Sequence, residues 1–177
     1  MADITRQRRP LLNSKLKGEL FYFSFETSLG TACITASPEG ILALSFPPQP
    51  VPKASPPPAR FTSLVERLKA YCDGVKGSFP DKLDLSAATP FQVKVWQVTR
   101  SIPCGETRSY RWVAEQTGKP AAARAVGQAL GRNRLPIIIP CHRVIASDGS
   151  LGGYSGGLEM KRRLLKLEHA MVHKTET

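Results

Sequence analysis

The chain has 177 residues, 41% of them apolar, and a net charge of +11 from 25 Lys and Arg against 14 Asp and Glu. That length allows one domain or two small ones, and the apolar content supports a folded core. No apolar run reaches membrane-spanning length, nothing resembles a secretory leader because Asn13, Lys15 and Lys17 interrupt the short apolar start, and the four cysteines are too dispersed for a zinc finger or a C-x-x-C redox motif.

The expected setting is therefore cytosolic, or nuclear in a eukaryote, with reduced thiols. The charge is uneven. Residues 1–85 hold 11 basic and 8 acidic groups, whereas residues 86–177 hold 14 basic and 6 acidic groups. A basic half joined to a nearly neutral half predicts a polyanionic partner, most simply nucleic acid. The alternative is an excess that only aids solubility.

Residues 1–17 are polar and basic, and are expected to be loosely ordered. From Gly18 to Thr27 the chain alternates, with Phe21, Phe23 and Phe25 on one side, which is strand periodicity. Thr31–Ala36 and Ile41–Phe46 read as two more strands, separated by turns at Ser28-Leu29-Gly30 and Ser37-Pro38-Glu39-Gly40, and together they predict a small antiparallel meander. Seven prolines between Pro47 and Pro58 rule out helix and ladder, so that stretch is a loop or linker. Phe61, Leu64, Val65, Leu68 and Cys72 then follow helical spacing up to a stop at Gly74. This helix is expected to cover the sheet.

A domain boundary is placed near residue 86, giving an N-terminal unit over 1–85 and a C-terminal unit over 86–177. Thr89-Pro90 is a helix start, with Thr as N-cap and Pro at the first helical position. Phe91, Val95, Val98 and Ile102 continue it until Pro103-Cys104-Gly105. Ser109 caps a second helix over 110–117. Gly118 stops it, and Pro120 is expected to open a third helix over 121–130 at once. Helix, short Gly-containing turn and helix form the helix-turn-helix pattern. The second of these helices carries mostly small residues and one arginine, Arg124, which is expected to project beyond them. Two packed helices with an Ala-rich interface are the plainer alternative.

Leu135-Pro136-Ile137-Ile138-Ile139-Pro140-Cys141-His142-Arg143-Val144 follows. A short apolar run of β-branched residues between two prolines predicts a buried extended segment that delivers Cys141 to a fixed place. The imidazole of His142 and the guanidinium of Arg143 would favour the thiolate, the nucleophilic form. The alternative is an ordinary core cysteine. Five glycines within residues 149–157 then make a loop with accessible backbone N–H groups, in which Tyr154 can wall a flat ligand. A last helix runs from about Leu158 to His169, with Met160, Leu164, Leu167 and Met171 on one stripe. Glu168 can turn inward to orient an imidazole or form a surface ion pair with Lys161.

The Pro140-Cys141-His142-Arg143-Val144 motif, with Tyr110, the Arg124 helix, Asn133, Tyr154-Ser155-Gly156-Gly157 and Glu168, resembles the O6-alkylguanine-DNA alkyltransferase family, also called methylated-DNA–protein-cysteine methyltransferases. The resemblance is strong over 89–169 and weaker before it. It implies an N-terminal ribonuclease-H-like α/β domain, a helical C-terminal domain with a helix-turn-helix, and irreversible single-turnover transfer of the methyl group of O6-methylguanine, less well of O4-methylthymine, from flipped-out nucleotides in duplex DNA. It implies Cys141 as acceptor, His142 as its base through a water, Glu168 as the residue that orients His142, Tyr110 as the group that rotates the phosphate and donates to the leaving purine, and Asn133 as a brace. Arg124 would fill the vacated stack. Ala123, Ala125, Gly127, Gln128, Arg132 and Arg134 would contact DNA, with the small residues lying in the minor groove. Tyr154, Ser155, Gly156 and Val144 would form the base pocket. The family implies no cofactor, no metal and a monomer, with cooperative binding to DNA left open.

Two positions depart from the family pattern. Arg134 stands where proline is common, and Gln128 where glycine is common. A cysteine hydrolase would also use Cys, His and Glu, but it does not call for a basic helical domain. Non-enzymatic binders of alkylated DNA in this family lack the cysteine that this chain has.

Overall fold

The computed structural model describes residues 20–46 and 57–173. The basic N-terminal stretch and most of the Pro-rich loop lie outside the described residues. Three antiparallel strands, β1 (Phe21–Thr27), β2 (Gly30–Ser37) and β3 (Gly40–Ser45), form one sheet in that order. The alternation read from the sequence sets its faces: Phe23 pairs with Ile34 and Phe25 with Ala32, and all four side chains are buried. The return segment 81–84 runs alongside β3, with Ile41 bonded to Lys82 and Asp84 through its backbone. Gly40 is required there, because a Cβ would lie 2.5 Å from the Lys82 carbonyl oxygen.

Helix α1 (Thr62–Cys72) covers the sheet. Its apolar spacing buries Leu64, Val65, Leu68, Tyr71 and Cys72, while Phe61, in a 3₁₀ turn just before it, stacks on Phe23 at 5.4 Å between centroids. Full burial of side chains of this size contributes about 1.5–3 kcal/mol each. After residues 73–89 the chain enters α2 (Pro90–Arg100). Thr89 caps it in a reciprocal box with Gln92, and Pro90 opens it.

Helix α3 (Tyr110–Gln116) is capped by Ser109, whose hydroxyl accepts from the Trp112 N–H. Helix α4 spans Ala123–Gly131 and begins two residues later than the sequence predicts. Lys119 before Pro120 has no acceptor side chain to cap a helix there. The chain instead makes a turn closed by the Ala122 N–H on the Lys119 carbonyl at 2.9 Å. Trp96 of α2 donates its indole N–H to the Ala129 carbonyl of α4 at 3.0 Å, which ties the two helices together.

Two short strands, β4 (Arg108–Ser109) and β5 (Val144–Ile145), pair in parallel. They bring the start of α3 beside the end of the Cys141 segment. Helix α5 (Leu158–His173) closes the fold. Its buried stripe is Lys161, Leu164, Glu168 and Met171; of the predicted Met160, Leu164, Leu167 and Met171, Met160 and Leu167 are only half-buried. The stripe is rotated because a cation and an anion are buried with polar partners of their own. One hydrophobic cluster runs unbroken from the sheet through the helices to α5. Among the described residues no helix is long and apolar enough to cross a membrane.

Candidate active site

Leu135 and residues 137–140 are buried as the sequence predicts, with Pro136 half-buried, but they are not extended. They fold as consecutive turns, closed by the Ile139 N–H on the Leu135 carbonyl at 2.8 Å and the Cys141 N–H on the Ile139 carbonyl at 2.7 Å. Ile137 sits at φ 72°, in the left-handed region. For a β-branched residue this is a true outlier that costs on the order of 1–3 kcal/mol, and it persists only where the surroundings enforce it. Asn133 supplies that enforcement. Its Oδ1 accepts from the Leu135 N–H at 2.9 Å, and its Nδ2 donates to the Ile139 carbonyl at 2.9 Å. The local rule that β-branched runs extend loses to a buried amide that clamps both ends of the turn.

The same Nδ2 lies 3.0 Å from the Cys141 sulfur. Cys141 opens a 3₁₀ turn, Cys141–Arg143, and its neighbour His142 is fully buried. His142 Nε2 is 2.9 Å from Glu168 Oε1. His142 Nδ1 is buried and has no hydrogen-bond partner among the described residues. Arg143 forks onto Glu168, with Nε to Oε2 at 2.9 Å and Nη2 to Oε1 at 2.7 Å, and its Nη1 donates to the Ile102 carbonyl. Gly105 allows the loop after α2 to approach: a Cβ there would overlap a Val172 methyl, and its N–H points at Glu168 Oε2 from 3.3 Å.

Burial alone would raise the Glu168 carboxyl, but hydrogen bonds from His142 and Arg143 overcome it and hold the group well below the usual range. Burial lowers the His142 pKa against the pull of Glu168, so the imidazole is neutral. Burial pushes the Cys141 thiol up, opposed by the Asn133 hydrogen bond and the Lys161 charge. The sequence expectation that imidazole and guanidinium would favour the thiolate is therefore corrected. Arg143 is consumed by Glu168 and His142 is uncharged, so it is Asn133 and Lys161 that oppose the rise caused by burial.

The Lys161 side chain is wholly buried. Its Nζ donates to the Val144 carbonyl at 2.6 Å and to the Leu151 carbonyl, and stands 3.5 Å from the Gly153 carbonyl. Burial pushes its pKa down to about 8, while the nearby thiol group of Cys141 acts the other way. Glu168 makes no surface pair with Lys161, since both are buried with other partners.

A cleft of about 540 Å³ opens above Cys141, walled by Tyr110, Arg124, Gly127, Tyr154 and Ser155. Such a volume suits a small planar ligand. Tyr110 donates to the Gly153 carbonyl at 3.3 Å and packs so closely on the Gly-rich loop that a Cβ on Gly152 would meet its hydroxyl at 2.8 Å. Burial, then the Cys141 charge, raises both Tyr110 and Tyr154, so both phenols remain donors.

Not every expected residue is at the cleft. Val144 is buried under it, with its carbonyl held by Lys161, and does not line it. Gly156 supports the Tyr154 ring from behind, where a Cβ would meet Tyr154 Cε1 at 2.9 Å, and is also outside the lining. Ala123, Arg124 and Gly127 line the cleft, while Ala125 and Gln128 are exposed on α4. Arg132 and Arg134 border a separate cleft of about 460 Å³ between β3 and the helices, where the Arg134 carbonyl accepts from the Leu44 N–H at 2.8 Å. No cluster of three or more metal-ligating side chains occurs among the described residues.

Two participants were not legible as such. Lys161 lies on the buried stripe of α5, and a lysine at an apolar position is the signal for it. Tyr71 of α1 donates its hydroxyl to Glu168 Oε1 at 2.6 Å. A tyrosine beside Cys72 on an inward face needs a partner for its hydroxyl, and that need was its only trace.

Residues 90–170 match the sequence model of the 6-O-methylguanine DNA methyltransferase DNA-binding domain. The chain is 51% identical over 114 residues to a methylated-DNA–protein-cysteine methyltransferase of Mycobacterium tuberculosis, covering 64% of this chain and 68% of the relative. It is 40% identical over 155 residues to the Methanosarcina acetivorans protein of the same name, covering 84% of this chain and 98% of that one. Among solved structures it is similar to M. tuberculosis OGT in complex with DNA, at TM-score 0.76 and 41% identity over 85% of this chain and 94% of that one. It is also similar to the O6-methylguanine-DNA methyltransferase of Pyrococcus kodakaraensis, at TM-score 0.60 and 25% identity over 85% and 99%.

Proposed function

The chain belongs to the methylated-DNA–protein-cysteine methyltransferase family, and from that premise we propose that it repairs O6-methylguanine in duplex DNA by moving the methyl group onto Cys141. The observation that carries the assignment to Cys141 is its position at the floor of a cleft whose rim includes Arg124 of α4. A nucleotide flipped out of the duplex can enter such a cleft, whereas a stacked base cannot present its O6 substituent. Less efficient repair of O4-methylthymine belongs to the same reading.

In the step itself the Cys141 sulfur forms a bond to the methyl carbon as the bond from that carbon to O6 breaks. The electron pair passes to the purine, which takes its proton from the Tyr110 hydroxyl; the thiol proton leaves through a water to His142 and is returned through solvent to Tyr110. His142 Nδ1 is the nitrogen not committed to Glu168. Tyr110 donates toward the departing purine. Tyr154 and Ser155 hold the base. A thioether is not cleaved by water, so each molecule acts once and needs no cofactor.

Residues 1–85 and 86–177 are taken as two units, a ribonuclease-H-like N-terminal one and a C-terminal one that binds DNA as a monomer, with α3 and α4 as a helix-turn-helix. Helix α4 enters the minor groove through Ala123, Ala125 and Gly127, and Gln128 extends the contact. Arg132 and Arg134, at the seam with β3, reach phosphates rather than base edges. Peptide mass analysis after incubation with methylated duplex should find one added methyl on the Cys141 peptide, and Cys141→Ser should bind the duplex without acquiring it. A methyl on Cys104 would refute the assignment.

A further inference from the structure

Glu168 Oε1 is crowded. Tyr71 donates to it from 2.6 Å, Arg143 Nη2 from 2.7 Å, and His142 Nε2 lies at 2.9 Å. Three donors thus address an oxygen with two lone pairs. Among the described residues, Oε2 carries only Arg143 Nε at 2.9 Å and the Gly105 N–H at 3.3 Å. Tyr71 meets the carboxylate at the His142–Glu168 contact, with its hydroxyl 3.4 Å from His142 Nε2.

This contact spans the molecule. Tyr71 belongs to α1 in the sheet half, 97 residues before Glu168 and 71 before His142. Its ring is 2% exposed and is fixed edge-on against Phe79, 5.9 Å between centroids. The family model that matches this chain begins only at residue 90, so the hydroxyl comes from outside the region that carries Cys141, His142 and Glu168.

We propose that Tyr71 is a positioning residue for methyl transfer, whose hydroxyl holds Glu168 Oε1 and limits how strongly Glu168 raises the basicity of His142. The inference rests on the assignment of Cys141 and His142 made above. It makes the N-terminal unit a contributor to the reacting centre rather than a support for it.

The physical chain is short. A carboxylate that accepts more hydrogen bonds has less charge left to stabilise an imidazolium. Tyr71 never becomes a competing anion, because burial and then the Glu168 charge push its pKa far above the ordinary value. Arg143 and Lys161 also face His142 and oppose its protonation. Around Glu168, the Cys104 thiol and the Tyr154 phenol are both raised by burial and stay neutral near pH 7, and Cys141 becomes an anion only as transfer begins. Tyr71 is therefore the neutral donor that sets the balance between Glu168 and His142.

The sign follows. His142 must be neutral to accept the thiol proton, and burial lowers its pKa, so the transfer rate falls only as pH drops below the ordinary imidazole range. Removing the Tyr71 hydroxyl returns charge to Oε1, raises the His142 pKa and moves that acid limb toward neutral pH. A hydrogen bond to a charged group corresponds to a movement of about one pH unit.

The test is the single-turnover transfer rate at saturating methylated duplex from roughly pH 5 to 8, with nitrogen-15 NMR of His142, for the full chain and for Tyr71→Phe. The ring and its contact with Phe79 remain in this variant. We expect unchanged duplex affinity, an acid limb raised by about one unit, and shifted His142 nitrogen resonances. Superimposable limbs in a folded Tyr71→Phe protein would overturn the inference. If that variant does not fold, 3-fluorotyrosine in place of Tyr71 keeps the shape and strengthens the donor, and the limb should then move to lower pH. An unmoved limb would again overturn it. The two readings fail separately: a wild-type methyl found away from Cys141 removes the assignment of the acceptor, whereas a methyl on Cys141 with unmoved limbs removes only the role of Tyr71.

Discussion

Asn133 donates from Nδ2 to the Cys141 sulfur at 3.0 Å, and the same amide braces the turn in which Ile137 is held at φ 72°. One side chain thus fixes the position of the thiol and lowers its pKa against the effect of burial. The two roles can be separated. Asn133→Ala leaves the buried Leu135 N–H without its partner and takes from the Ile139 carbonyl one of its two donors, the Cys141 N–H remaining, and is expected to cost about 1–3 kcal/mol of stability. Asn133→Asp keeps an acceptor for Leu135 but sets a carboxylate beside the sulfur. It should therefore slow transfer at least as much as Asn133→Ala, about tenfold or more, equivalent to about 1.4 kcal/mol. Denaturant titrations read the first effect and single-turnover rates the second. An Asn133→Asp protein that reacts at the wild-type rate would contradict the electrostatic role.

Lys161 ties the Gly-rich loop to the strand after Cys141 and carries a positive charge that acts to lower the pKa of the Cys141 thiol. Lys161→Met keeps most of the volume and removes the charge. The Val144 and Leu151 carbonyls would lose their donor, so a stability loss of about 2 kcal/mol is expected. Transfer should slow for duplex DNA and for free O6-benzylguanine alike, because the pocket and the thiol are both affected. Duplex affinity measured with undamaged DNA should change little. A loss confined to duplex substrate would place Lys161 among the DNA contacts instead.

Glu168 gives the protein a defined acid sensitivity. His142 and Arg143 hold its carboxyl well below the ordinary value of 4.5 despite burial. The folded pKa is thus lower than the unfolded one, and the unfolded chain takes up the proton first as pH falls. The contribution of Glu168 is complete above the unfolded value and is lost progressively below it. Glu168→Gln leaves the buried Arg143 without its anion, which should cost about 3–5 kcal/mol near pH 7. Its stability should then fall less steeply between roughly pH 5 and pH 3 than that of the wild type. Chemical denaturation across that range checks both points, and equal slopes would show that other carboxylates govern the acid limit.

Arg124 is exposed at the rim of the cleft, and its expected work is on the duplex rather than on the base. Arg124→Ala should slow repair of duplex DNA by about tenfold or more, about 1.4 kcal/mol. Opening a base pair costs a few kcal/mol, which a side chain filling the vacated stack partly offsets. Free O6-benzylguanine, if accepted, needs no opening and should react almost normally. Equal losses on both substrates would assign Arg124 to the fold.

Some of this was written locally in the chain. Strand alternation at Phe21, Phe23 and Phe25, the caps at Thr89 and Ser109, and the Cys141-His142 motif each depend on near neighbours, so sequence periodicity and residue chemistry are enough to find them. Short-range rules went wrong where tertiary contacts outweighed them. Ile137, Ile138 and Ile139 favour extension by their branching, yet the buried Asn133 amide closes them into a turn. The stripe on α5 turned toward Lys161 and Glu168 because buried carbonyls, Arg143 and His142 make those two charges acceptable inside.

What the sequence by itself determined was most of the elements and the groups of the Cys141-His142-Arg143 motif. What only the tertiary structure decided was the electrostatic state of those groups. Arg143, two residues from the thiol in sequence, serves Glu168, while Asn133 and Lys161, eight and twenty residues from Cys141, act to lower the pKa of its thiol against the larger effect of burial. Tyr71 reaches the Glu168 carboxylate from α1 across 97 residues. The reason is physical: hydrogen bonds and charges act through distances of a few ångströms in space, and a linear pattern does not contain those distances until packing of α1 and α5 against the Cys141 segment creates them.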